Sequence, residues 1–132
     1  MKRPSQDGAQ ETFVRSIVKN DIRMVELMIS DGHEVDSADN EGTFPLHYAA
    51  VHCNIEIARI LLDHGATVDC TDRNGNTPLS NAVFYGAGKL DLIQLFLQRG
   101  ASMNRENLHG VSPKNLARSI ANYDYSECFP LD

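Results

Sequence analysis

Apolar residues fall along this chain in short bursts of helical spacing, each closed by a polar or glycine-containing break. Phe13, Val14, Ile17 and Val18 form the first, at the i, i+3, i+4 spacing of one helix face. Asn20-Asp21 interrupts it, and Asp21 is suited to cap the helix that follows. Met24, Val25, Leu27, Met28 and Ile29 make the second burst, which stops at Ser30-Asp31-Gly32. The third is short: Leu46, Ala49 and Ala50, opened by Pro45, which the first helical turn tolerates because its missing N–H would have no partner there. Ile55, Ile57, Ala58, Ile60, Leu61 and Leu62 then run to Gly65, where the left-handed conformation that glycine adopts cheaply ends the helix. A second short–long pair follows, with Thr77-Pro78 opening one helix and Leu90, Leu92, Ile93, Leu95, Phe96 and Leu97 building the other as far as Gly100. A last burst, Leu116, Ala117 and Ile120, follows Ser112-Pro113. Every predicted element is a helix.

The bursts recur at a fixed interval. Asp39 and Asp72, Gly42 and Gly75, and Pro45 and Pro78 are each 33 residues apart, as are Gly32 and Gly65. Gly65 and Gly100 are 35 apart, so two residues are inserted between the helices of the later unit, within Tyr85-Gly86-Ala87-Gly88-Lys89. The stretch DNEGTFPLHYAAVHCNIEIARILLDHGATVD returns as DRNGNTPLSNAVFYGAGKLDLIQLFLQRGASMN. A helix–turn–helix period of this length with TPLH-like and GA-V-N-like signatures resembles the ankyrin-repeat family. The resemblance covers nearly the whole chain. It implies an all-α solenoid of stacked units: an N-terminal capping repeat over 10–36, full repeats over 37–69 and 70–104, and a partial C-terminal capping repeat over 105–121. A polar, frayed segment is expected over 1–9 and an aromatic tail over 122–132. The partial repeat is marked by Gly110 and Ser112-Pro113, and Lys114 there occupies the position of Leu46 and Leu79, which suits a helix with no further repeat stacked on it. Tyr123, Tyr125, Phe129 and Pro130 make the tail too aromatic to idle in solvent, and it is expected to fold back over the open end of the stack.

Composition narrows the function. With 42% hydrophobic and 23% charged residues the chain reads as an ordinary globular domain. No apolar run approaches the ~20 residues that a membrane crossing needs, and no apolar core follows the two early basic residues, so no secretory signal is read and a cytoplasmic location is expected. The formal charge of −6 speaks against non-specific nucleic-acid binding and is compatible with a basic protein partner. Cys53, Cys70 and Cys128 are odd in number and widely spaced, which fits neither a disulfide framework nor a metal clip; Cys53 is expected as a buried thiol.

Catalytic chemistry finds no foothold. No His pair has the HxxxH or HExxH spacing, so neither zinc nor any other cofactor is expected, and no GxSxG or phosphate-cradling glycine loop occurs. His33 and His64 lie beside helix-ending glycines, where an exposed imidazole suits the negative end of the helix dipole. The resemblance gives His47 a structural hydrogen-bonding role at the start of its helix. The threonine that would accompany it is replaced by Phe44, so either Thr43 substitutes or the cap is weaker by ~1 kcal/mol. Asp39 and Asp72 are read as turn-bonding aspartates, and Glu34, Asp36, Glu41 and Asp69 add an acidic edge to the finger turns.

Family members usually bind other proteins on the concave face made by finger turns and inner helices. Carried onto this chain, the resemblance implies a non-catalytic binding module whose contact residues are Asn40, Glu41 and Thr43, then Arg73, Asn74 and Asn76, with Val51 and His52 ending one inner helix and Phe84 and Tyr85 ending the next. Large aromatics at such positions are what an interface anchor looks like; the alternative is that the inserted residues fold back and cover them. The short acidic chain and its degenerate ending, NLHGVSPKNLARSIANYD, resemble stand-alone bacterial ankyrin proteins, some of them similar to immunity proteins. That implies an antitoxin that blocks a secreted, basic toxin domain. A general adaptor or scaffold, or the regulatory subunit of an enzyme, is the alternative. The free protein is expected to be a monomer.

Overall fold

Two rows of antiparallel helices stack side by side in the computed structural model, which describes residues 5–120 and 122–129, with side chains from Gly8 onward. The inner row is α1 (Ser5–Val18), α3 (Pro45–Val51), α5 (Pro78–Tyr85) and α7 (Pro113–Ser119). The outer row is α2 (Ile22–Ser30), α4 (Ile55–Asp63) and α6 (Asp91–Gln98). Helices α1 to α6 pack as three pairs and on the same helix of the adjacent unit, and α7 packs on α5 without an outer partner among the described residues. No strand occurs among the described residues. The expectations placed on residues 1–4, 121 and 130–132 lie outside the described residues. Helix α1 starts at Ser5, ahead of the apolar pattern, and so takes in part of the segment expected to be frayed.

Local chemistry sets the helix starts. The Asp21 carboxylate accepts the Met24 N–H at 3.1 Å, the Ser112 hydroxyl accepts the Asn115 N–H at 3.1 Å, and the Thr77 hydroxyl accepts the Ser80 N–H at 3.4 Å. Each offers a donor of the first turn a partner that the helix itself cannot supply. Pro45, Pro78 and Pro113 stand at the first helical position. The core then follows the bursts: Leu46, Ala49, Ala50, Leu79, Ala82 and Val83 are buried on the inner helices, and Ile57, Ala58, Leu61, Ile93, Leu95 and Phe96 on the outer ones. The alanines let the inner helices approach closely, while each fully buried Leu, Ile or Phe contributes ~1.5–3 kcal/mol.

Three finger turns project from the stack on one recurring device. The Asp39 carboxylate accepts the N–H groups of Glu41 and Thr43 at 2.9 and 3.0 Å, and Asp72 accepts those of Asn74 and Asn76 at 2.9 and 3.0 Å. Asn107 accepts those of His109 and Val111 at 2.8 and 3.0 Å. In the third finger an amide oxygen thus fills the aspartate's place, three residues ahead of Gly110 as Asp39 and Asp72 stand three ahead of Gly42 and Gly75. Neighbouring units are also tied where they leave the outer helices: Asp36 accepts the Thr67 N–H and hydroxyl at 3.1 and 2.7 Å, and Asp69 accepts the Ser102 N–H at 3.1 Å.

Two side chains depart from expectation. Cys53 is half-buried rather than buried, because it takes a left-handed φ of 56° in the turn between α3 and α4. His33 is not a free surface imidazole: its ring lies 4.4 Å from that of Phe13, and its Nε2 pairs with the Gln10 side chain at 3.2 Å. His64 does remain exposed, its Nδ1 donating to the Ile60 carbonyl at 2.8 Å at the end of α4.

The tail folds back. Tyr125, Cys128 and Phe129 are buried, and the Cys128 and Phe129 N–H groups close a turn on the Tyr125 carbonyl at 3.0 and 2.9 Å. Its residues share a cleft with Ala117, Arg118 and Ile120 at the end of α7.

Candidate binding face

The expected contact residues divide into two groups. Asn40, Glu41, Arg73 and Asn74 are exposed on the first two fingers, and Val51 and His52 end α3, half-buried and exposed respectively. Thr43 and Asn76 are half-buried and spend polar groups inside the stack. The Thr43 N–H is held by Asp39. Asn76 is occupied at three points: its N–H donates to Asp72, its carbonyl accepts from His47 at 2.9 Å, and its side-chain oxygen accepts from the Asn107 amide at 2.9 Å. Fingers also join directly, since the Arg73 guanidinium reaches the Asn40 carbonyl at 3.3 Å and the Leu108 N–H donates to the Asn74 carbonyl at 3.0 Å.

His47 carries the joint between the first full repeat and the next finger. Its Nδ1 accepts the Phe44 N–H at 3.1 Å while its Nε2–H donates to the Asn76 carbonyl. These bonds require a neutral ring protonated on Nε2. Burial pushes its pKa below the ordinary 6.5, against the opposing pull of the Asn76 carbonyl and of Asp72 and Asp39. The phenyl ring of Phe44 cannot accept a first-turn N–H, so the hydroxyl caps of Thr77 and Ser112 have no counterpart at α3. Tyr48 donates its hydroxyl to Asp39. Burial, with the Asp39 carboxylate, raises the Tyr48 phenol to about 12. For Asp39 burial pulls upward, but the bonds from Tyr48, Thr43 and Glu41 and the nearby Arg73 charge together hold it below the ordinary 3.8.

Phe84 and Tyr85 stand out on this face. They are 62% and 52% exposed, so the inserted residues after α5 do not cover them. Their rings meet edge to face with centroids 4.9 Å apart. The pair borders a shallow groove of about 350 Å³ whose other walls include Ser80, Asn81, Asn107, His109, Val111 and Leu116. Leu108, between two groove residues, is 76% exposed, the largest exposure among the big apolar side chains of the described residues. It was not among the expected contacts. The signal was present, an apolar residue at a fingertip position filled by Asn40 and Arg73 in the earlier turns, but it becomes readable only once Asn107 is recognised as the turn residue. At the other end a cleft of about 650 Å³ lies between α1 and the first finger, lined by Glu11, Glu34, Asp39 and Asn40. The face thus runs from acidic at the first finger to apolar at the third.

Among the described residues no group of three His, Cys, Asp or Glu side chains is placed to hold a metal ion, and no helix is long and apolar enough to cross a membrane.

Stacked helix pairs with aspartate-closed fingers define a helical-repeat protein, one whose working surface is an open face. The family model for ankyrin repeats, in three copies, matches residues 14–107. The chain belongs to the ankyrin-repeat family. None of the curated proteins compared with it matches its sequence. Ankyrin repeats serve generally as protein-interaction modules, and that is the class of function the chain falls into.

Proposed function

We propose that the chain is a non-catalytic binding protein that seats a basic partner domain across its fingers and inner-helix ends, with Phe84 and Tyr85 as the anchor. The observation that carries this is the exposure of two adjacent aromatic rings beside a groove. Such rings bring large apolar area at little conformational cost, and Tyr is enriched where binding energy concentrates. The carboxylates lining the cleft by the first finger, with the formal charge of −6, favour a partner of opposite sign and speed its approach.

The specific role we assign is that of a cytoplasmic antitoxin. The protein would cover the active site of a basic toxin domain, in keeping with the resemblance of its ending to stand-alone immunity proteins. Co-expression tests this. Cells producing the partner alone should cease growth, and cells also producing this chain should recover. A partner harmless by itself would replace the antitoxin role with that of an adaptor. The charge component is tested separately by association rates: raising the ionic strength should slow association several-fold while leaving dissociation nearly unchanged. Rates insensitive to salt would remove the basic partner.

A further inference from the structure

The helix carrying the aromatic pair ends in a way that α3 does not. In α3 the turn that follows is of ordinary length, and its backbone closes the helix: the Ala50 carbonyl accepts the Cys53 N–H at 3.1 Å, and the Ala49 carbonyl accepts the Asn54 N–H at 2.9 Å. Val83 is the equivalent of Ala50, 33 residues on. Its carbonyl, one of the last four of a helix and so without a partner inside it, instead accepts the Tyr125 hydroxyl at 2.9 Å. The Tyr125 hydroxyl oxygen in turn accepts the Gly88 N–H at 3.1 Å. One phenol from the tail therefore bridges the end of α5 and the inserted turn, and Tyr125 is only 3% exposed.

The packing around the bridge matches the bonding. Gly88 has a φ of +85°, and a Cβ placed on it would lie 2.7 Å from the Tyr123 ring. The tail and the inserted turn are thus fitted to each other at backbone-to-ring distance, which only glycine permits here. Beside them the Cys53 thiol lies 3.8 Å from the Tyr85 carbonyl. Val83 directly precedes Phe84, so whatever fixes its carbonyl fixes the stalk of the pair.

We propose that Tyr125 is a positioning residue for the Phe84–Tyr85 pair: the tail supplies the hydrogen-bonding that the lengthened turn has lost, and holds both rings in the orientation that meets a partner. The importance of that orientation rests on the binding function proposed above, whereas the positioning can be measured without any partner.

Tyr125→Phe removes both bonds and keeps the ring. In amide-exchange NMR of the full chain, the Gly88 amide should exchange about ten-fold faster or more. The ring-to-ring contact of Phe84 and Tyr85 should weaken, while α2 and α4 amides change far less. Gly88→Ala attacks the same junction from the other side, and should loosen Tyr125 and Phe129 with the same α2 and α4 control. Unchanged Gly88 exchange and an unchanged ring contact in Tyr125→Phe would overturn the proposal. So would uniform acceleration of all amides, or failure of that variant to fold, since either would make Tyr125 a general stabilising group. If positioning holds but Phe84→Ala binds the partner as wild type does, the binding face falls and Tyr125 keeps its role in ordering the turn.

Discussion

Replacing His47 by alanine tests how the units are joined. The imidazole is 1% exposed and makes two bonds to backbone groups, one to the Phe44 N–H and one to the Asn76 carbonyl of the next finger, besides a long contact at 4.0 Å with the Cys70 thiol. Both partners belong to half-buried residues, so water reaches them in part and each lost bond costs ~1 kcal/mol, the low end for a stranded polar group. The small cavity left by the ring adds ~1 kcal/mol. The sum is about 3 kcal/mol, or roughly 10 °C in Tm for a chain of this length. Urea unfolding followed by helical circular dichroism at pH 7.5 measures it, with the slope m unchanged. The pH dependence gives an independent check. Because the folded pKa of His47 lies below the ordinary 6.5, the unfolded chain binds the proton more readily. The contribution of the neutral ring is therefore complete above about pH 6.5 and is lost as pH falls below it. Wild type should weaken from pH 7.5 to 5, and the alanine variant should do so less. Burial also lowers the pKa of His33, which contributes in the same direction and leaves a residual slope in the variant. A stability loss under ~1 kcal/mol, or an unchanged pH profile, would refute the assignment of His47 as the joint.

Two other substitutions separate local strain from crowding. Gly75 and Gly100 both have positive φ, 78° and 92°, but a Cβ at Gly75 would lie 2.9 Å from the Leu108 backbone nitrogen whereas Gly100 has open space. Gly100→Ala should cost ~1 kcal/mol, from the left-handed backbone alone. Gly75→Ala should cost clearly more and disturb the third finger; equal losses in thermal denaturation would contradict the close packing of the fingers. Thiol labelling of the native protein should find Cys53 reacting first. Burial raises the Cys70 thiol to about 12 and that of Cys128 above its ordinary value, and both are under 10% exposed. Fast native labelling at Cys70 would mean that the junction of the two full repeats opens readily.

Much of this architecture is legible in the sequence because it is local and periodic. The prolines at 45, 78 and 113 mark helix starts through their own chemistry, and aspartates 33 residues apart mark turns that bond to their own backbone. Other features are not local. Cys53 looks like a small core residue at its place in the repeat, and only the tightness of the α3–α4 turn reveals a left-handed position. Asn107 performs the aspartate's function with an amide, so a search for carboxylates does not mark it as the turn residue and overlooks Leu108. The Tyr125 bridge joins residues 42 and 37 positions apart, and no periodicity announces it. Aromatic content signals that the tail packs, but not onto what. The exposure of Phe84 and Tyr85 likewise depends on where the inserted turn goes, and that turn bonds to the distant tail through the Gly88 N–H.

The measurement that bears most directly on the account is the affinity of a native-extract partner for wild type beside a Phe84→Ala/Tyr85→Ala double variant, each titrated after its helical circular dichroism and thermal transition have been shown to match. The binding-face account predicts one stoichiometric partner and an affinity loss of about 100-fold or more in the double variant, as expected when two anchor residues are truncated. A variant that binds the same partner as tightly as wild type would contradict it and move the interface off the aromatic pair.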